Sequence, residues 1–459
     1  MNTKNSVLTV LIIAVFLFLN LGLSNASASP TLAQTQSTIL FVKPGEEGDC
    51  FSWDTACDLQ NALTLAETGD QAWVAAGTYK PITDTDRTAT FLLESGVAIY
   101  GGFAGTETSL EERDWETNLT TLSGDIGTEA VNTDNSYHVV TGTGVDETAI
   151  LDGFTISDGN ASAEPVPHIY GGGMYISDGN PTLNNLIFHA NTANYGGGMY
   201  NSGGNPTLTN VIFSANTTWE NGTGGGMYNS QCSPALTNVT FSENMSLYGG
   251  GMYNNHSTPT LTNTTFQENE AYFYNYGRGG GIYNDYSSPM IVNSTFSANT
   301  ARYGGGIYNV NSSSPTLTNV TFTGNNADLS YTNGGGMHNN SGSNPTIRNA
   351  IFWGNVPDQI SGPATITYSD IEGGWEGNGN LSEDPLLGPA AYNGGFTQTH
   401  ELGEGSPAID AGDPLSCPDT DQRGVPRPID GDGDDDAVCD MGAYEYVPQV
   451  FIYLPLIVR

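Results

Sequence analysis

The chain has 459 residues, room for two or three domains and a large core. Only 13% of its residues are charged and 59 are glycine, a composition unlike that of a charged, solvated disordered chain. Its 49 acidic residues outweigh 11 basic ones for a net charge of −38, which argues against nucleic acid and anionic membranes as partners, and against polyuronates unless a cation bridges them.

In chain order, Lys4 precedes an apolar run from Val7 to Leu23, and Ala26-Ser27-Ala28 follows as an A-x-A cleavage site. Residues 1–28 are therefore expected to be a signal peptide, with the mature chain secreted or at the cell surface. No other segment is apolar enough over a sufficient length to span a bilayer as a helix. Cys50 and Cys57 flank the loop CFSWDTAC and are expected to pair, as are Cys417 and Cys439 around an acidic loop, leaving Cys232 as a buried thiol. Leu59, Ala62, Leu63 and Ala66 form an i, i+3, i+4, i+7 stripe, which predicts a short helix covering one end of a solenoid.

The triplet GGG begins at Gly171, Gly196, Gly224, Gly249, Gly279, Gly304 and Gly334, with spacings of 25, 28, 25, 30, 25 and 30 residues. Such a period signals a solenoid, and the absence of any 3.6-residue apolar pattern makes it a β-solenoid. Three apolar rows recur, exemplified by Met199, Leu208 and Phe213. They predict an all-β, right-handed parallel β-helix with about three short strands per coil. An asparagine row through Asn210 predicts tight corners and an amide ladder, and a second row through Asn216, closing FxxN, reads as corner chemistry. Residues 29–170 are assigned to a cap and the first coils, and 171–359 to the seven repeats. Residues 360–446 are assigned to the last coils and an acidic module, and 447–459 to a tail.

The repeated GGG[MI]Y…FxxN resembles the polymorphic outer membrane protein repeat, within the pectin-lyase-like β-helix class, over about Gly171 to Asn355. The segment GSPAIDAGDPLSCPDTDQRGVPRPIDGDGDDDAVCDMGAYEY resembles the choice-of-anchor Q module of secreted bacterial β-helix proteins. The resemblance stops short of the translocator barrel, because no series of ~10-residue alternating strands follows the repeats. The tail VPQVFIYLPLIVR reads as a sorting signal or as a final strand.

Asp430, Asp432, Asp434 and Asp436 alternate with glycine in a pattern that suits calcium or a merely solvated loop, and Met441 in the twelfth position excludes an EF-hand. Arg278, Arg302 and Arg348 are scattered, so neither a lyase base nor a hydrolase carboxylate pair is evident. Tyr175, Tyr200, Tyr228, Tyr253, Tyr283 and Tyr308 follow inward residues and are expected to form an outward stripe, either packing or binding sugar. Loops after FxxN vary in length and carry Trp219, Tyr272, Phe273, Tyr274, Tyr276 and Tyr331, the expected ligand-binding aromatics. The sequence thus favours a non-catalytic, adhesin-like surface protein that binds polysaccharide or a cell-surface glycan. The alternative is a polysaccharide lyase or glycoside hydrolase of the same fold.

Overall fold

The computed structural model describes residues 37–82, 84–162, 165–271, 276–327, 333–340 and 342–448. The expected signal peptide, residues 449–459 of the C-terminal tail, and the loop residues Tyr272, Phe273, Tyr274 and Tyr331 lie outside them. Within them the chain winds into a parallel β-helix of about 11 turns, its strands falling into three parallel sheets.

One coil shows why. Met199–Ser202 forms a first face, Thr207–Ser214 a long second face and Thr217–Thr223 a third. The period-2 alternation of each strand sends Met199, Leu208 and Phe213 inward, where all are fully buried. The next coil repeats this without slip, so Met199 pairs with Met227, Leu208 with Leu236 and Phe213 with Phe241. Stacking in register puts like on like. The phenylalanine rings lie nearly parallel, 4.7 Å apart from Phe188 to Phe213 and 4.3 Å apart from Phe322 to Phe352.

Corners follow from residues that accept positive φ. Asn210 bends the long strand at φ 56°, as do its equivalents in every repeat. The second glycine of each triplet is required by close approach: a Cβ on Gly225 would lie 2.4 Å from the Gly250 carbonyl oxygen in the next coil.

The expected ladder runs along the Asn210 row, where Asn210 donates to Asn185 Oδ1 and Asn238 to Asn210 Oδ1, and the FxxN asparagines, expected at corners, are buried and form another. Asn216 donates to Phe188 O (2.8 Å) and to Asn244 Oδ1 (3.0 Å), and Asn244 repeats both bonds one coil on. A third ladder, absent from the sequence reading, runs inside the first face. Asn229, Asn254, Asn284, Asn309 and Asn339 are linked by amide bonds of 2.8–2.9 Å.

The amino-terminal end is closed by the helix Leu59–Leu65, capped by Asp58, with Leu59 and Ala62 buried against the first coils. Cys50 and Cys57 are joined. The expected second disulfide is not formed: Cys417 and Cys439 are both free thiols. Buried Cys439 accepts from the Asn349 amide and faces Asp413 O, and Cys417 faces Pro418 O, so each sulfur is engaged with groups other than its expected partner. Cys232 is a buried thiol, pushed up to about 11 by its burial.

The last coils end near Ile371, and the chain then turns back. An antiparallel hairpin, Leu387–Ala391 with Thr399–Leu402, and the acidic module lie on the outer side of the second face. No helix among the described residues is long and apolar enough to cross a membrane.

Candidate functional site

The outward position just before each core phenylalanine forms a row on the second face: Thr155, Ile187, Ile212, Thr240, Thr265, Thr295, Thr321 and Ile351. From Thr265 onward the row is covered. Thr265 donates to Gln398 O (2.8 Å), Thr295 to Gln422 Oε1 (2.7 Å), and Thr321 accepts from the Ala443 backbone (3.0 Å). Ile187 and Ile212 have no such cover. They form the floor of a cleft of about 240 Å³ between two separate segments of chain.

One wall is Trp115. Asp114 N bonds Gly102 O at 2.8 Å, and Gly102, at φ 92°, leaves room for the Trp115 backbone that a Cβ would fill. Arg113 fixes the segment through Asp152 (2.9 Å) and Gly101 O, with Trp115 and Tyr100 rings on its guanidinium. The other wall is Phe396, in the hairpin loop. Its neighbours Thr397 and Gln398 are tied down by Asn263 O, Thr265 and the Gln422 amide.

Trp115 and Phe396 remain 38% and 39% exposed. Between them Asn185 and Asn210 present side-chain amides linked by a 3.0 Å bond. A second recess of about 160 Å³ shares Ile212 with the cleft and is lined by Thr240, Glu243, Glu268 and Tyr392. Among the described residues, Glu116, Glu243 and Glu268 are the only charged ones lining either space. The Arg113–Asp152 pair lies nearby, but both side chains are about nine-tenths buried and satisfied by each other and by backbone carbonyls. Apolar floor, facing rings and amides suit a flat, hydroxyl-rich ligand.

The sequence reading missed this cleft, although its signal is visible. The residue before phenylalanine is isoleucine in the first two copies and threonine in the next four.

The expected aromatics fare differently. Trp219 is 45% exposed and borders a space of about 380 Å³ with Asn194, Tyr195 and Glu220, while Tyr276 is 62% exposed elsewhere on the third-face side. Neither reaches the cleft. The tyrosine stripe exists, with rings 4.9–5.8 Å apart from Tyr175 to Tyr308, and His338 extends it. It is largely covered by Tyr170, Tyr195, Tyr248 and Tyr303, and Arg278 stacks on Tyr248 and Tyr308. Burial pushes Tyr200 and Tyr283 up to about 12, and leaves Tyr253 and Tyr308 less than a tenth exposed. The stripe is therefore packing.

In the acidic loop, Asp430 and Asp432 converge with Asp410, which the sequence did not single out, and Asp434 and Asp436 do not join them. Backbone amides already serve these carboxylates: Asp410 accepts from Gly431 and Asp432, and Asp430 from Gly433 and Asp435. Arg348 reaches Asp413 and Ser416.

No family model and no curated protein matches the chain. Among solved structures it is similar to pectate lyase Pel9A, with a TM-score of 0.57 and 15% identity over 90% of this chain and 97% of that one. An alginate lyase from Paenibacillus sp. str. FPU-7 follows at a TM-score of 0.40 and 13% identity, over 75% and 99% of the two chains. The likeness establishes the pectate-lyase-like β-helix fold.

Proposed function

We propose that this is an exported, cell-surface β-helix that binds an uncharged glycan in the Trp115–Phe396 cleft without cleaving it. The observation that carries the reading is the half-buried pair Ile187 and Ile212, left without cover between two fixed aromatic walls. Sugar rings offer apolar faces to such walls and hydroxyls to amides such as those of Asn185 and Asn210. Glu116, Glu243, Glu268 and the net charge of −38 favour neutral chains over polyuronates. A β-elimination needs a base at the sugar, and among the described residues no lysine, arginine or histidine lines the cleft.

Affinity electrophoresis against neutral glucans, xylans and mannans, and against pectate and alginate with and without calcium, tests the reading. Retention by a neutral polysaccharide is expected. Trp115→Ala with Phe396→Ala should weaken it about tenfold, the ~1.4 kcal/mol typical of lost aromatic contact. Unchanged retention removes the cleft from consideration, and Trp219→Ala then tests the loop aromatics in its place. Turnover to unsaturated products or new reducing ends would replace binding by a lyase or hydrolase activity.

A further inference from the structure

We propose that the cleft takes one linear chain of β-linked pyranoses whose hydroxyls are all equatorial. The chain lies along the strands, and Tyr392 holds the sugars beyond Ile212. Both statements rest on the glycan reading above.

The direction follows from where the walls stand. Successive coils of the second face pair in the order Ile150–Ser157, Thr182–His189, Thr207–Ser214 and Ala235–Ser242. Trp115 lies over the first of these, where a Cβ on Gly153 would stand 3.2 Å from its own Cβ. Phe396 comes from the opposite side. Beside it, Thr397 donates to Asn263 O and Gln398 O takes the Thr265 hydroxyl, both in the coil that follows Ala235–Ser242. The two walls thus close the floor at its two ends along the solenoid axis. Between them lie the coils of Ile187 and Ile212, about 10 Å of floor at the ~4.8 Å spacing of paired strands. That width suits one polysaccharide chain, and the open direction is along the strands.

Along the strands the outer surface runs on from Ile187 and Ile212 to His189 and Ser214, which pair in register and share a 3.0 Å hydrogen bond. Beside Ser214, at its equivalent Ser242, the second recess opens under Tyr392. Tyr392 belongs to the same hairpin loop as Phe396 and is 63% exposed. Its neighbour Asn393 is held by the Thr399 carbonyl and hydroxyl, at 3.1 and 3.0 Å. One fixed loop therefore presents two aromatic rings, Phe396 to the cleft and Tyr392 to the recess that shares Ile212 with it. A ligand that touches both spans both spaces, which takes several linked sugars.

The ring configuration follows from the chemistry of the walls. A pyranose with only equatorial hydroxyls directs its ring C–H bonds to both faces and its hydroxyls to the edge. Held between Trp115 and Phe396, it meets an aromatic group on each side, while edge hydroxyls reach the Asn185 and Asn210 amides. An axial hydroxyl would lose its water against one wall and gain no partner there. Glucose and xylose satisfy this condition, and mannose, with its axial 2-hydroxyl, does not.

Isothermal titration calorimetry of the native chain with cellobiose, cellohexaose and mannohexaose tests the inference. Cellohexaose should bind about tenfold more tightly than either of the others. Tyr392→Ala, at an exposed side chain, should cut the cellohexaose-to-cellobiose affinity ratio about fivefold, the effect of one lost aromatic contact. Trp115→Ala should weaken both sugars alike. An unchanged ratio in Tyr392→Ala overturns the direction, and equal affinity for mannohexaose overturns the configuration. If cellohexaose fails to bind a chain that another neutral polysaccharide retains, this inference falls and the glycan reading stands. If no neutral polysaccharide is retained, both fall.

Discussion

Asn244 shows how one side chain holds several coils at once. Its Oδ1 accepts from the Asn216 backbone and amide, and its amide donates to Phe213 O and Asn269 Oδ1. All of these groups are buried, so their bonds have no water to fall back on. Asn244→Leu, close in volume, should cost about 3 kcal/mol by leaving two or more polar groups unpaired. Denaturant unfolding measures the loss, and a variant within 0.5 kcal/mol of wild type would remove the ladder as a stabilising device. The asparagine of FxxN was legible because it never varies between copies. The third ladder, through Asn229 and Asn254, was legible in principle from MYN, but its in-facing position emerges only once Met227 and Asn229 are seen on the same side of a strand.

At the scale of elements, the module and the outer sheet fit by complementary polar groups. Gln422 is the hub: its amide reaches Thr265 and Thr397, and its carbonyl takes the Thr295 hydroxyl. Gln422→Leu should strand the Thr265 and Thr295 hydroxyls and weaken docking by about 2 kcal/mol. Faster proteolysis at residues 418–438, with the coils themselves still resistant, is the expected outcome. Loss of β-structure throughout the chain would show instead that the module is essential to the solenoid. The tyrosine stripe belongs to this scale too. Alternation sent Tyr253 and Tyr283 outward, but residues ahead of each triplet, such as Tyr248 and Arg278, fold over them. A row-by-row reading finds the stripe and misses its cover, because the cover comes from a neighbouring strand one corner away.

At the scale of the whole molecule, the acidic balance meets a buried charge cluster. Asp440, Glu445, Arg427, Asp421 and Arg423 pack together beneath the module, and their side chains are largely or wholly excluded from water. Burial first, and Glu445 second, push Asp440 up to about 8, and Glu445 is raised by its burial. A carboxyl whose folded value is raised keeps its proton where the unfolded chain, at ~3.9, has already lost it. Asp440's contribution to the module's stability is therefore fully present at low pH and is lost as pH rises through that interval, levelling off once Asp440 itself ionises. Amide exchange in residues 418–446 should be faster at pH 8 than at pH 5 after correction for intrinsic rates. Asp440→Asn should flatten that difference. Equal corrected rates at both values would contradict the cluster's assigned charge state.

The sequence by itself determined the solenoid: its parallel β class, its period, its three core rows, its corner asparagines and the helix over one end. These are local or nearest-neighbour properties, set by side-chain alternation and by copies stacking on copies. Only the tertiary structure decided where the outer surface is open. Ile187 and Ile212 become a cleft floor because a loop near Trp115 and a hairpin near Phe396, nearly 300 residues apart in the chain, settle on the same sheet face and stop short of each other. That gap depends on how far each segment reaches across coils it does not belong to, and no repeat period encodes such a distance.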